Sequence, residues 1–156
     1  MNRPPIQLLL AEDSGSDADL ILASLAKVSL GEAVHVVHDG VETLDFVFCR
    51  GEHADRIHEP PLRVVVLDVK LPKLDGFEVL REIKANSRTR LIPVVMLTSS
   101  NIDIDVARGY LLGANSYVQK PVDFEQFRAT IRELGVYWMT MNEPPPIASV
   151  GDHAPQ

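Results

Sequence analysis

Apolar residues in this chain come in short runs, each closed by a polar cluster. Five runs have the length and β-branched content of strands: residues 6–11, 33–37, 64–67, 93–97 and 116–119. The third, Val64-Val65-Val66-Leu67, is unbroken by any polar residue, as a strand buried on both faces should be. Between the runs the apolar spacing changes to three and four, the period of helices. It predicts a helix over residues 18–28, capped by Ser16 or Asp17, with Leu22 and Leu25 inward and Gly31 ending the segment. A second helix covers 41–50 and carries Leu44, Phe46, Val47 and Phe48; a third covers 76–85 with Phe77, Leu80 and Ile83 on one face. A fourth starts at Asp103, with Val106, Ala107, Tyr110 and Leu111 as its apolar side and Gly113 as its stop. After the cap Asp123, Phe124, Phe127, Ile131, Leu134 and Trp138 recur at helical spacing and define a fifth.

Strands alternating with helices imply one doubly wound α/β domain, a five-stranded parallel sheet with right-handed crossovers and helices on both faces. This domain is expected over residues 1–141. From Asn142 the chain turns to Pro144-Pro145-Pro146 and small polar residues, which predicts a disordered tail over 142–156. Residues 51–62 are the least regular part. They hold His53 and His58 among acids, followed by Pro60-Pro61; the histidines raise the thought of a metal site, but the charged context reads as a solvated loop.

Bulk properties narrow the function. A 156-residue chain with 46% hydrophobic and 24% charged residues fits a single globular domain. The net charge of -7 argues against nucleic-acid binding. No apolar run has membrane-spanning length and the N-terminus lacks a signal peptide's apolar core, so a cytoplasmic protein is expected. Cys49 stands alone, which excludes an intrachain disulfide and fits a reducing cytosol; packing on a helix explains it better than a reactive thiol.

The chemistry gathers at the strand ends. Strand one closes on Glu12 and Asp13, strand three on Asp68, strand four on Thr98 and strand five on Lys120. In a parallel sheet all of these lie on one edge, where ligands of open α/β folds bind. An isolated V-V-V-L-D would only mark the end of a strand; four such ends together do more. Three carboxylates make a hard oxygen site suited to Mg²⁺. A carboxylate can attack phosphorus, and an ammonium and a hydroxyl can hold the equatorial oxygens during transfer.

These residues carry a resemblance. Glu12-Asp13, V-V-V-L-D ending at Asp68 with Pro72 and Asp75-Gly76, V-V-M-L-T-S through Thr98, and Y-V-Q-K-P through Lys120 resemble the receiver domain of bacterial two-component response regulators, over about residues 7–141. The resemblance implies the flavodoxin-like strand order 2-1-3-4-5. It implies Asp68 as phosphoacceptor from a histidine kinase, Glu12 and Asp13 as metal-binding acids with the Lys70 backbone carbonyl, and Mg²⁺ as cofactor. Thr98 becomes the switch hydroxyl, Lys120 the phosphate partner and Tyr117 the switch aromatic. Lys70 departs from the small or polar residue usual two places after the acceptor, which bears on dephosphorylation. The long proline-ended loop before strand three, the L-P-K-L-D-G turn and the late V-Y-W are similar to stand-alone regulators paired with phytochrome-type histidine kinases. Those are often homodimers through the face of helix four, strand five and helix five.

Two other classes compete. An aspartate-nucleophile phosphatase would place a second acid two residues after the nucleophile, where this chain has Lys70. A pure interaction module would not need all five site residues. The fifteen or so residues after helix five are too few for a DNA-binding domain. The expected output is therefore a surface: Val136, Tyr137 and Met139 cannot all point inward beside Leu134 and Trp138, and Ile104 and Leu112 flank helix four's stripe. That patch predicts a homodimer through the α4-β5-α5 face, biased by rotation of Tyr117 when phosphate draws Thr98 toward Asp68.

Overall fold

A computed structural model describes residues 4–146. Five strands run β1 (Leu8–Ala11), β2 (Val34–Val37), β3 (Val64–Leu67), β4 (Val94–Thr98) and β5 (Ser116–Gln119). They alternate with α1 (Gly15–Lys27), α2 (Gly40–Val47), α3 (Gly76–Ala85), α4 (Asp103–Leu111) and α5 (Phe124–Val136). The sheet is parallel throughout, in the order β2-β1-β3-β4-β5, as expected of the flavodoxin-like arrangement. The central strands β1, β3 and β4 are buried at every position, which their unbroken apolar runs anticipate, whereas the edge strands β2 and β5 are half-exposed.

Side chains alternate across the sheet and make two cores. Leu9, Val65, Leu67 and Met96 pack with Leu44, Phe46, Phe77, Leu80 and Ile83 on the face covered by α2 and α3. Leu8, Leu10, Val64, Val66 and Leu97 pack with Ile21, Leu25, Phe127 and Ile131 on the face covered by α1 and α5. Gly40 and Gly76 let two helix starts reach the carboxyl edge. A Cβ on Gly40 would collide with the Leu74 carbonyl, and one on Gly76 with the Asp68 carbonyl.

Several local expectations need correction. Ser14, not Ser16 or Asp17, caps α1, accepting from the Asp17 amide at 3.2 Å. Ile21 and Ala18 face inward with Leu25, while Leu22 is half-buried. Gly31 was expected to end the segment, but α1 stops at Lys27 and Ser29, at φ 63°, takes the left-handed position after it. Helix α2 stops at Val47, so Cys49 lies past it, at φ 55°. Residues Gly51–His58 form a 3₁₀ segment rather than an open loop, anchored by Arg56, which donates to the Phe46 carbonyl. On α4 only Gly109 is buried; Tyr110 and Leu111 face solvent, and Leu112 packs on the core instead. Phe124 is exposed as well. After α5 the backbone widens into a π turn, Tyr137–Met141, which rotates Met139 inward. Of the tail, Asn142 is held by Arg63, whose guanidinium donates to its carbonyl at 2.8 Å; residues 147–156 lie outside the described residues.

Candidate functional site

The carboxyl edge is assembled by backbone hydrogen bonds that continue the sheet past its strands. The Glu12 amide donates to the Val37 carbonyl at 3.0 Å, and the Asp68 amide to that of Ala11 at 3.1 Å. The Lys120 amide donates to the Thr98 carbonyl at 2.8 Å. Residues from four strands are thereby fixed at one level. Lys120 sits at their centre: its ammonium donates to Glu12 Oε1 at 2.5 Å, to Asp17 Oδ2 at 2.9 Å and to Asp68 Oδ2 at 2.9 Å. Asp68 is buried and its other oxygen accepts from the Lys70 amide at 3.2 Å, while the Lys70 side chain is exposed.

Glu12, Asp68 and Lys120 come together here, and Asp13, Lys70, Thr98 and Tyr117 lie beside them. Asp13 follows Glu12 and is exposed. Thr98 is fully buried, and its hydroxyl accepts from the Ser100 amide at 3.4 Å. Tyr117 donates its hydroxyl to the Ser100 carbonyl at 2.9 Å, so both side chains expected to move are tied to the same loop before α4. The Tyr117 ring lies against Gly109, where a Cβ would stand 3.0 Å from Cδ2.

Asp17 is the site residue that sequence reasoning missed, having been assigned to a cap. The signal was its place in the first turn of α1, whose start abuts the end of β1. His38, likewise unassigned, has Nδ1 3.2 Å from the Glu12 carbonyl.

The electrostatics follow from crowding. Burial pushes the Glu12 carboxyl up to about 7; its bond to Lys120 opposes this and the charge of Asp68 adds to it. Burial alone would lower Lys120, but hydrogen bonds to Asp17, Glu12 and Asp68 hold it above its ordinary value. Acids therefore outnumber the cation, and one of them retains its proton near neutrality. That donor set suits a hard divalent cation with oxygen ligands, which Glu12, Asp13, Asp68 and the Lys70 carbonyl have the right chemistry to hold.

A pH dependence follows. The carboxyl of Glu12 titrates at about 7 when folded, against an ordinary value of 4.5 when unfolded. Between the two, the folded state holds the extra proton. The resulting stability is full below the unfolded value and is lost as the pH rises through about 7. In chelator, the thermal midpoint should fall as the pH rises from about 4.5 to about 7 and level off above that, at about 2–4 °C per kcal/mol. Glu12→Gln should flatten that decline, and Mg²⁺ should restore wild-type stability at the higher pH. An unchanged slope in the variant would assign the effect to other groups.

Comparison with known proteins fits this geometry. The response regulator receiver domain family matches residues 8–132. A probable methanogenesis regulatory protein of Methanothrix harundinacea, FilR2, is 38% identical over 145 residues, 90% of this chain and 88% of its own. The response regulator Rcp1 of Synechocystis is 33% identical over 138 residues, 88% of this chain and 92% of Rcp1. The phosphorylated cyanobacterial phytochrome response regulator RcpA superposes with a TM-score of 0.83 at 31% identity, over 91% of this chain and 99% of RcpA. The Mn²⁺-bound form of Rcp1 gives 0.82 at 32% identity, over 91% and 99%. Among the described residues no helix is long and apolar enough to cross a membrane.

Proposed function

The chain belongs to the response regulator receiver domain family, and on that premise we propose that it accepts a phosphoryl group on Asp68 from a histidine kinase, of phytochrome type, in the cytoplasm. The observation that carries this reading is Asp68 at the end of the central strand, buried, hydrogen-bonded to Lys120 and flanked by Glu12. Residues 1–141 act as the receiver and 142–156 as a tail. The protein is a signalling acceptor rather than a turnover enzyme, with phosphorylation and hydrolysis the only chemistry it performs.

The Asp68 carboxylate attacks phosphorus, the bond from phosphorus to the kinase histidine breaks, and an acyl phosphate forms. Glu12, Asp13, Asp68 and the Lys70 carbonyl would hold Mg²⁺, which when bound would neutralise charge on the phosphoryl oxygens. The ammonium of Lys120 lies within reach of Asp68 and exchanges one carboxylate partner for a phosphoryl oxygen. Thr98 then turns its hydroxyl from the Ser100 amide toward the phosphoryl group. Releasing that loop frees Tyr117, whose own hydroxyl is tied to Ser100. The change reaches α4, because the Tyr117 ring lies against Gly109. Output is binding through the α4-β5-α5 face, as a homodimer and without nucleic acid.

Lys120→Ala should leave the fold intact but uncouple phosphorylation from the switch, since it removes a charge-assisted hydrogen bond worth roughly 1.5–3 kcal/mol. Amide shifts of residues 98–117 on phosphorylation, measured by NMR, should shrink to a small fraction of the wild-type response. Shifts of full size in the variant would remove Lys120 from this role.

A further inference from the structure

We infer that His35, Glu42 and His53 form a binding site for a divalent transition-metal ion of the zinc class, separate from the acidic edge. Each of the three is partly buried and offers one ligand atom, and these atoms all lie within 4.8 Å of one another. They come from three segments: the edge strand β2, the first turn of α2 and the 3₁₀ segment Gly51–His58. The acids of the carboxyl edge are instead gathered around the Lys120 ammonium.

The ring geometry suits one ion. The imidazoles of His35 and His53 stand 5.6 Å apart, centre to centre, at 76°. Two imidazoles on one tetrahedral Zn²⁺, with Zn–N near 2.0–2.1 Å, place their centres roughly 5 Å apart. Small side-chain rotations therefore close the site. Both rings are already oriented by Phe46, on which His35 stacks at 4.5 Å and 14° and against which His53 stands at 4.9 Å and 62°.

Glu42 is held in place by two further hydrogen bonds. Its Oε2 accepts from the His38 amide at 3.1 Å, and its own amide donates to Asp39 at 2.7 Å. These bonds cap α2 and fix the carboxylate, and an ionised carboxylate has lone pairs for a metal besides. A cation to weigh against an ion is Arg56, whose guanidinium lies 3.7 Å over the Phe46 ring. With His35 parallel to one face of that ring, Arg56 covers the other, and the ring separates them. Imidazole selects Zn²⁺, Cu²⁺ or Ni²⁺ over Mg²⁺, so the ion proposed for the acidic edge does not compete. Three protein ligands leave a fourth position for water. Once bound, the ion would tie the segment after α2 to the open edge of the sheet.

The test is calorimetric titration of chelator-stripped protein with Zn²⁺, in excess Mg²⁺ to occupy the acidic edge. One Zn²⁺ per chain is expected. His53→Gln and Glu42→Gln should each weaken binding by more than the roughly 10–100-fold that loss of a ligand's hydrogen-bonding partner costs. His58→Ala and His153→Ala should bind as the wild type does. Circular dichroism and the metal-free thermal midpoint of each variant establish that it is folded; Zn²⁺ should raise the midpoints of the wild type, His58→Ala and His153→Ala, and leave those of His53→Gln and Glu42→Gln nearly unchanged. Undiminished affinity in folded His53→Gln, or loss of binding in His58→Ala or His153→Ala, would overturn the assignment. Neither outcome bears on Asp68, whose phosphorylation is read separately.

Discussion

An Asp68→Asn variant incubated with acetyl phosphate and Mg²⁺ is expected to gain no mass, while the wild type gains one phosphoryl group. The change in labelling rate should be at least roughly 10⁴-fold, the scale on which removing a covalent nucleophile acts. Asn keeps the size of Asp and an oxygen to accept from the Lys70 amide, as Asp68 Oδ1 does at 3.2 Å. It keeps no carboxylate to attack phosphorus. Of the other acids on Lys120, Glu12 is only 2% exposed and holds a proton up to about pH 7, which blunts it as a nucleophile. Asp17 projects from α1 rather than from the end of a central strand. Intact mass measures the outcome, and peptide mapping locates any label. Equal labelling of the Asn variant, mapped to Glu12 or Asp17, would move the acceptor off Asp68.

Legibility differed along the chain for physical reasons. β3 and its closing Asp68 stood out because a strand buried on both faces admits no polar residue, so its end is sharp. Lys120 was found because a single cation closing a strand has few structural explanations. The start of α1 was harder. Ser14, Ser16 and Asp17 are all capping types, and only the loop geometry gives the cap to Ser14 and sends Asp17 to Lys120. Helix α4 misled most. Tyr110 and Leu111 have the spacing of a core stripe, yet the helix rests on the sheet through Gly109, which brings its backbone against Tyr117 and turns those residues outward. Met139 was lost to the π turn, since widening the helix breaks the period from which its direction was read. His35 and His53 lie on separate segments, and no sequence spacing announces that Phe46 brings them together.

The outward turn of α4 makes the second large prediction more specific. Leu111 is 87% exposed and Ile104 73%, both on α4; Val122 is 98% exposed and Phe124 67%, at the start of α5. Tyr137 at the far end of α5 is also exposed, its ring set against Trp138 at 5.1 Å. Scattered exposed hydrophobes are ordinary, but these lie on or beside α4 and α5, the helices of the proposed output face. Fully burying one leucine is worth about 1.5–3 kcal/mol, so a few such side chains, paired across a two-fold axis, suffice to hold two chains together. Light scattering of the wild type should therefore report about twice the 17.3 kDa chain mass. Leu111→Asp should reduce it to one chain, because each interface would bury two unpaired carboxylates. As Leu111 faces water in the single chain, the substitution should change its stability by only about 0.5 kcal/mol, which separates loss of the dimer from loss of the fold. Tyr137→Asp with Trp138 retained should act in the same direction from the α5 side. A wild type that stays monomeric at high concentration, phosphorylated or not, would overturn the dimer and leave this face to the kinase.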